Sequence, residues 1–179
     1  MIPFVYGTVV TKDFFCGRTE LIPRIDELML SSQNIVMHGE RRIGKSSLIA
    51  EIIRRQKKIS GIYIDLMEVK SEDDLFQRIA RALLSAKYKK SMFELLSKTL
   101  AGFKPQIGID PLTQLPTLSI DTRTKIEDNS IDAVFNSIIE INRKQKIAII
   151  MDEFQDILKI KDSGSILAKL RSKIQHLSD

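Results

Sequence analysis

The chain has a single cysteine, Cys16, and two histidines, His38 and His176. One cysteine excludes an intrachain disulfide, and a lone thiol with no partner histidine motif reads as structural rather than nucleophilic. So few sulfur and imidazole ligands exclude a His/Cys metal site. No apolar run approaches the roughly 18 residues needed to span a bilayer, so no membrane partner is expected. The opening stretch, "MIPFVYGTVVTKDFF", has neither a basic start nor a small-residue cleavage site, which reads against a signal peptide. Together with the cysteine usage, this makes a reducing cytoplasm the expected location. Internal repeats, low-complexity tracts and the guanine-reading pattern N-K-x-D are missing too.

What is present is ordinary for a globular chain: 179 residues, 43% of them apolar and 28% charged, enough for one domain with a sizeable core. The net charge of +5 is compatible with an anionic partner and does not demand one. The clusters "RRQKK" (Arg54 to Lys58) and "KYKK" (Lys87 to Lys90) fall at the ends of expected helices and read as solvated cations complementing the helix dipole, the alternative being a nucleic-acid patch.

Along the chain, short apolar runs alternate with helical spacing. "NIVMH" (Asn34 to His38) reads as a buried strand ending at Gly39, and Leu48, Ile49, Ile52 and Ile53 give a helix over Lys45 to Lys58. "GIYIDLM" (Gly61 to Met67) reads as a second strand. "SEDDL" from Ser71 supplies an N-cap and first-turn acids for the next helix. A further helix is expected over about Ser91 to Leu100. Pro105, Pro111 and Pro116 break any helix over 102–129, where "QIGID" and "TLSID" alternate; this is read as an irregular or two-stranded insertion. Ile131 to Asn142 is helical. "KIAIIM" (Lys146 to Met151) has the continuous apolar pattern of a central parallel strand buried on both faces. A helix over Ser165 to Leu177 closes the chain. Strands alternating with helices argue an α/β layered fold, with 1–179 as one domain.

Two motifs carry chemistry. Gly39-Glu40-Arg41-Arg42-Ile43-Gly44-Lys45-Ser46 matches the phosphate-binding loop, G-x-x-x-x-G-K-[ST]. Its glycines let backbone N–H groups turn inward and admit phosphate oxygens at close range. The helix that follows, with Ser47 in its first turn, adds its N-terminal dipole to the same anion. Lys45 is expected to reach the β- and γ-phosphates, and Ser46 to offer its hydroxyl to Mg²⁺. Arg41 and Arg42 stay open between a phosphate contact, a facing subunit and solvent. The second motif is "DEFQ", directly after the apolar run. Strand ends of this kind are where open α/β sheets bind ligands. Asp152 is the candidate metal ligand, and Glu153 the group that polarises a water attacking the γ-phosphate. Lys45 and Glu153 are thus the candidate catalytic residues. Asp65, at the end of the preceding strand, reads as a cap or surface acid.

"FFCGRTEL" (Phe14 to Leu21), "GERRIGKSSLI" and "MDEFQ" resemble, in order, three blocks of the archaeal-type P-loop ATPase family, which is related to AAA-like and STAND ATPases. The resemblance implies a three-layer P-loop NTPase fold of the ASCE type, built on a mostly parallel sheet. It implies ATP and Mg²⁺ as ligands, Phe15, Gly17 and Arg18 near the adenine or ribose, and Gln155 near the γ-phosphate. It also implies slow hydrolysis driving a conformational switch; the alternative is a nucleotide-gated signalling or DNA-associated module with negligible hydrolysis. The family's pattern continues past Asp179 with a sensor-bearing strand, a lid and a winged-helix region. The chain is therefore expected to lack its C-terminal strands, the slot being left to its own continuation or another subunit, and any DNA contact to absent domains. A small-metabolite kinase fits less well, since no arginine-rich lid is evident.

Overall fold

The computed structural model describes residues 9–86, 100, 105–109, 116–120 and 128–175. The chain forms two compact units, divided between Gly61 and Ile62. The helix expected over Ser91 to Leu100 lies, apart from Leu100, outside the described residues.

In the first unit, a 3-10 turn at Lys12–Phe14 precedes helix α1 (Leu21–Leu30), and helix α2 (Lys45–Arg55) follows the glycine-rich loop. Ile22 and Ile25 of α1 meet Leu48 and Ile52 of α2, and Phe15, Met29 and Met37 pack around them. The i, i+3/i+4 spacing of these apolar positions gives each helix one buried stripe. The Gln56 side-chain amide donates to Asp26 at 3.1 Å and ties the end of α2 to α1.

"NIVMH" does not form the expected strand. Residues 33–40 carry no regular secondary structure, and Val36 is 94% exposed. An apolar run becomes a strand only when a neighbour completes its ladder, and no described strand pairs with it.

The second unit holds the larger core. Strand β1 (Ser60–Asp65), which starts at the end of the first unit, pairs in parallel with β4 (Ile147–Asp152) in a two-stranded sheet. Between them the chain runs through helix α3 (Glu72–Ser85), strands β2 (Pro105–Ile109) and β3 (Pro116–Ile120), and helix α4 (Asp128–Lys144). β2 and β3 pair antiparallel, with Ile107 opposite Leu118, and contain the alternating "QIGID" and "TLSID" segments up to Ile109 and Ile120. After β4 come a 3-10 turn (Phe154–Lys159) and helix α5 (Ser163–Gln175). Thus the described residues form an α/β structure with a small parallel sheet.

Ile62, Ile64 and Leu66 of the β1 segment are buried with Phe76, Ile79 and Leu83 of α3, Val134 and Ile138 of α4, and Leu170 of α5. Phe76 and Phe135 meet edge to face, centroids 6.3 Å apart, an arrangement worth about 0.5–1.5 kcal/mol beyond area burial. β4 is only half-buried at all six positions, not buried on both faces as its apolar run suggests. It has one ladder neighbour among the described strands. No helix among the described residues is long and apolar enough to cross a membrane.

Helix α3 begins as its sequence demands. Ser71 is the N-cap and accepts the Asp74 N–H at 3.1 Å, while Asp74 accepts the Lys70 N–H at 3.0 Å. Arg78 grips both oxygens of Asp74 and donates to the carbonyls of Asp65 and Met67, fixing the exit of β1. Partial burial alone pushes the Asp74 carboxyl up. The hydrogen bonds from Arg78 and from the Lys70 N–H outweigh it and hold the group below its ordinary value. A carboxyl depressed on folding adds stability that is complete above its unfolded value, about 3.9, and drains as pH falls through its folded value. Asp74→Asn is therefore expected to lower the melting temperature near pH 6 and to flatten its fall between about pH 5 and pH 3. A slope identical to the parent's in a thermal melt series would contradict this.

Candidate nucleotide-binding site

The glycine-rich loop turns into α2 at Gly44, which has φ +83° and occupies the N-cap position. That left-handed backbone is why a glycine stands there: an L side chain at such a φ costs about 1 kcal/mol or more. The first turn of α2 is Lys45, Ser46 and Ser47, with no acidic residue, so its N–H groups and positive dipole end face no competing carboxylate from the helix itself. Lys45 folds back over the loop, its Nζ donating to the carbonyls of Gly39 and Glu40, both at 2.8 Å. Gly39 has little room to spare, since a Cβ there would come within 2.6 Å of the end of the Ile43 side chain. Arg42, like Gly44, is left-handed (φ 65°). For a non-glycine residue this is a sparsely populated conformation, of the sort that clusters at ligand-holding loops.

The N-terminal box joins the same loop. Gly17 (φ 77°) and Arg18 (φ 56°) are consecutive left-handed residues that turn the chain into α1. The Arg18 guanidinium donates to the carbonyl of Ile43, inside the glycine-rich loop. Phe15 packs against the α1/α2 core. The structure therefore brings Phe15, Gly17, Arg18 and Gly39 through Ser47 together in the first unit.

The second unit carries the acidic cluster at the end of β4. The Leu66 N–H donates to the Asp152 carbonyl at 3.1 Å, joining the ends of β1 and β4. The Asp152 carboxylate accepts the Glu153 N–H at 2.9 Å on one oxygen and the Tyr63 hydroxyl on the other. Glu153 is left-handed (φ 52°, ψ 37°) and caps the 3-10 turn that follows. Gln155 donates its side-chain amide to the Glu153 carboxylate. Asp65 is exposed and accepts the Met67 N–H at 2.9 Å in the turn after β1; it caps no helix, the N-cap of α3 being Ser71.

Two residues here escaped the sequence reading. Tyr63 is the outward-facing position in the alternation of β1, and only the pairing with β4 puts its hydroxyl on Asp152. Asp156, 4% exposed, accepts the Glu68 N–H at 2.7 Å and pairs with Lys159 at 2.7 Å, which pins the turn after Glu153. Its place two residues after "DEF", among apolar neighbours, was the one available signal.

A loop of this spacing, turned by a left-handed glycine into a helix with no side-chain cap, has the form of a phosphate-binding loop. The model of a family described as an ATPase domain predominantly from Archaea matches residues 15–179, and the chain belongs to that family. Neither the curated proteins nor the solved structures contain a match to it. Family membership gives ATP-binding ATPase activity as the class of function.

Gly44→Ala tests the geometry of the turn. No atom lies within 4 Å of the added Cβ, so the penalty is one of backbone alone. The expected loss is about 1 kcal/mol, or a melting temperature roughly 2–4 °C lower. A variant as stable as the parent would contradict the left-handed turn.

Proposed function

We propose that the chain is the core of a three-layer P-loop NTPase that binds Mg·ATP and hydrolyses it slowly to drive a conformational switch. The observation that carries this reading is the G-x-x-x-x-G-K-S loop entering α2 through left-handed Gly44. The loop amides of Gly39 to Ser46 and the first turn of α2, through Ser47, cradle the phosphates. Lys45 leaves the Gly39 and Glu40 carbonyls for the β- and γ-phosphates, a stronger, charge-assisted partner. Arg41 and Arg42, within the same loop, add positive charge for the phosphates. Phe15, Gly17 and Arg18 approach the adenosine side, where Arg18 also braces the loop through Ile43.

The donor chemistry suits Mg²⁺. Ser46 in the first unit and Asp152 in the second each carry a hard oxygen, the donor type this ion takes. Mg²⁺ is the ion that takes one or two protein oxygens and completes its shell with phosphate and water. When bound it neutralises charge on the phosphates. Tyr63 orients the Asp152 carboxylate. Glu153, steered by the Gln155 amide, receives a proton from the attacking water.

A thermal melt with and without saturating Mg·ATP tests binding. Ligand at about a hundred times its Kd adds roughly 2.7 kcal/mol, a rise of roughly 5–10 °C for a chain of this size. Lys45→Ala is expected to abolish the rise; a rise that survives it would contradict the cradle. Glu153→Gln is expected to keep the rise and lose at least about a hundredfold in phosphate release, the usual scale for removing a general base. Unchanged release would remove Glu153 from its role.

A further inference from the structure

The segment before the N-terminal box is held in an unusual way. The Val10 N–H donates to Ser47 Oγ at 3.1 Å, and the Lys12 N–H donates to Glu51 Oε2 at 2.9 Å. Both acceptors are buried, Glu51 completely. The pattern is a match of two periods. Positions 47 and 51 lie one above the other on α2, separated by about 6 Å of helical rise. Alternate residues of an extended chain are separated by about 6.7 Å and present their N–H groups on the same side. Thr11, between them, is extended (φ −142°, ψ 173°), and its N–H has no acceptor among the described residues. A helix face thus does for this segment what a neighbouring strand does in a sheet: it sets the register.

We propose that Ser47 and Glu51 are positioning residues of the nucleotide site, a two-rung lock that fixes where Phe15 and Arg18 stand relative to the phosphate loop. This rests on the nucleotide reading above. The chain between lock and loop has no slack. Lys12 turns left-handed and opens the 3-10 turn, the Phe15 N–H closes on the Lys12 carbonyl at 3.0 Å, and Phe15 seats on the α1/α2 core. Gly17 and Arg18 then turn back so that the Arg18 guanidinium meets the Ile43 carbonyl. A slip of one residue at the rungs would carry Arg18 about 3.3 Å along the chain, beyond hydrogen-bond reach of Ile43. The Glu51 carboxylate is itself aimed. Arg54 donates to both of its oxygens, at 2.8 and 2.6 Å, and Arg55 to one at 2.6 Å. These arginines stand in the last turn of α2, so a single helix carries the phosphate loop at its start and the register lock along its side.

Residue-resolved hydrogen–deuterium exchange on the whole chain, paired with titration of a fluorescent ATP analogue, tests the lock. In the parent, the Val10 and Lys12 amides are expected to exchange at least about tenfold more slowly than Thr11, without nucleotide. Ser47→Ala is expected to release the Val10 amide and weaken analogue binding roughly fivefold, the scale of one hydrogen bond, with the melting temperature within about 3 °C of the parent. Glu51→Gln keeps an acceptor oxygen for Lys12 and is expected to bind the analogue more tightly than Glu51→Leu. Equal exchange at residues 10, 11 and 12 in the parent would overturn the lock. So would a Ser47→Ala chain whose freed Val10 amide leaves analogue affinity unchanged. A parent chain with alternating protection but no analogue binding would overturn the nucleotide reading, and the positioning role with it.

Discussion

The left-handed turn at Gly44 is the constraint on which the first unit depends. A polypeptide can start a helix in several ways, but few leave the first turn without a side-chain cap. Gly44 does so because its backbone supplies the turn and it has no side chain to fold back as a cap. Lys45, Ser46 and Ser47 then fall in the first turn with nothing acidic beside them. The helix that begins there continues as the structural spine of the unit. Leu48 and Ile52 bury against α1, and Ser47 and Glu51 hold the N-terminal segment. One eleven-residue helix thus packs against α1 and holds the N-terminal segment from different positions along its length.

The second unit solves a related problem by other means. Its acidic residues need fixed orientations at the end of a strand with only one described ladder neighbour. The fixing comes from the flanks: the Leu66 N–H on the Asp152 backbone, Tyr63 on its carboxylate, and Asp156 holding Glu68. Left-handed Glu153 breaks the strand sharply, so that the turn from Phe154 to Lys159 starts at once. Left-handed non-glycine backbone occurs at Arg18, Arg42 and Glu153 and equally at Lys12, Ser32, Glu68 and Asp162, so it does not by itself mark the site.

Much of this was legible in the sequence, for identifiable reasons. Helices α2, α3, α4 and α5 and strand β1 follow from periodicity and capping residues, which act locally; Ser71 with Asp74 is the clearest case. The glycine-rich loop was readable because its chemistry depends on residue type at fixed spacing. What failed was non-local. "NIVMH" has strand composition, yet whether it joins a ladder depends on a neighbour that composition does not name. The burial of β4 was overestimated for the same reason. Tyr63 and Asp156 acquire their roles only through pairing across distant parts of the chain. The rungs at Ser47 and Glu51 were hidden because each reads as an ordinary helix residue, and their partners are backbone amides, which no sequence pattern marks.

The central claim is that the loop from Gly39 to Ser47 is a phosphate cradle. A ¹⁵N–¹H titration of the whole chain with Mg·ADP addresses it most directly, because amide shifts report where the anion sits. The account predicts saturable shifts that are largest at Gly44, Lys45 and Ser46, with smaller ones at Arg18. Saturable shifts centred elsewhere, or none at millimolar nucleotide, would contradict it.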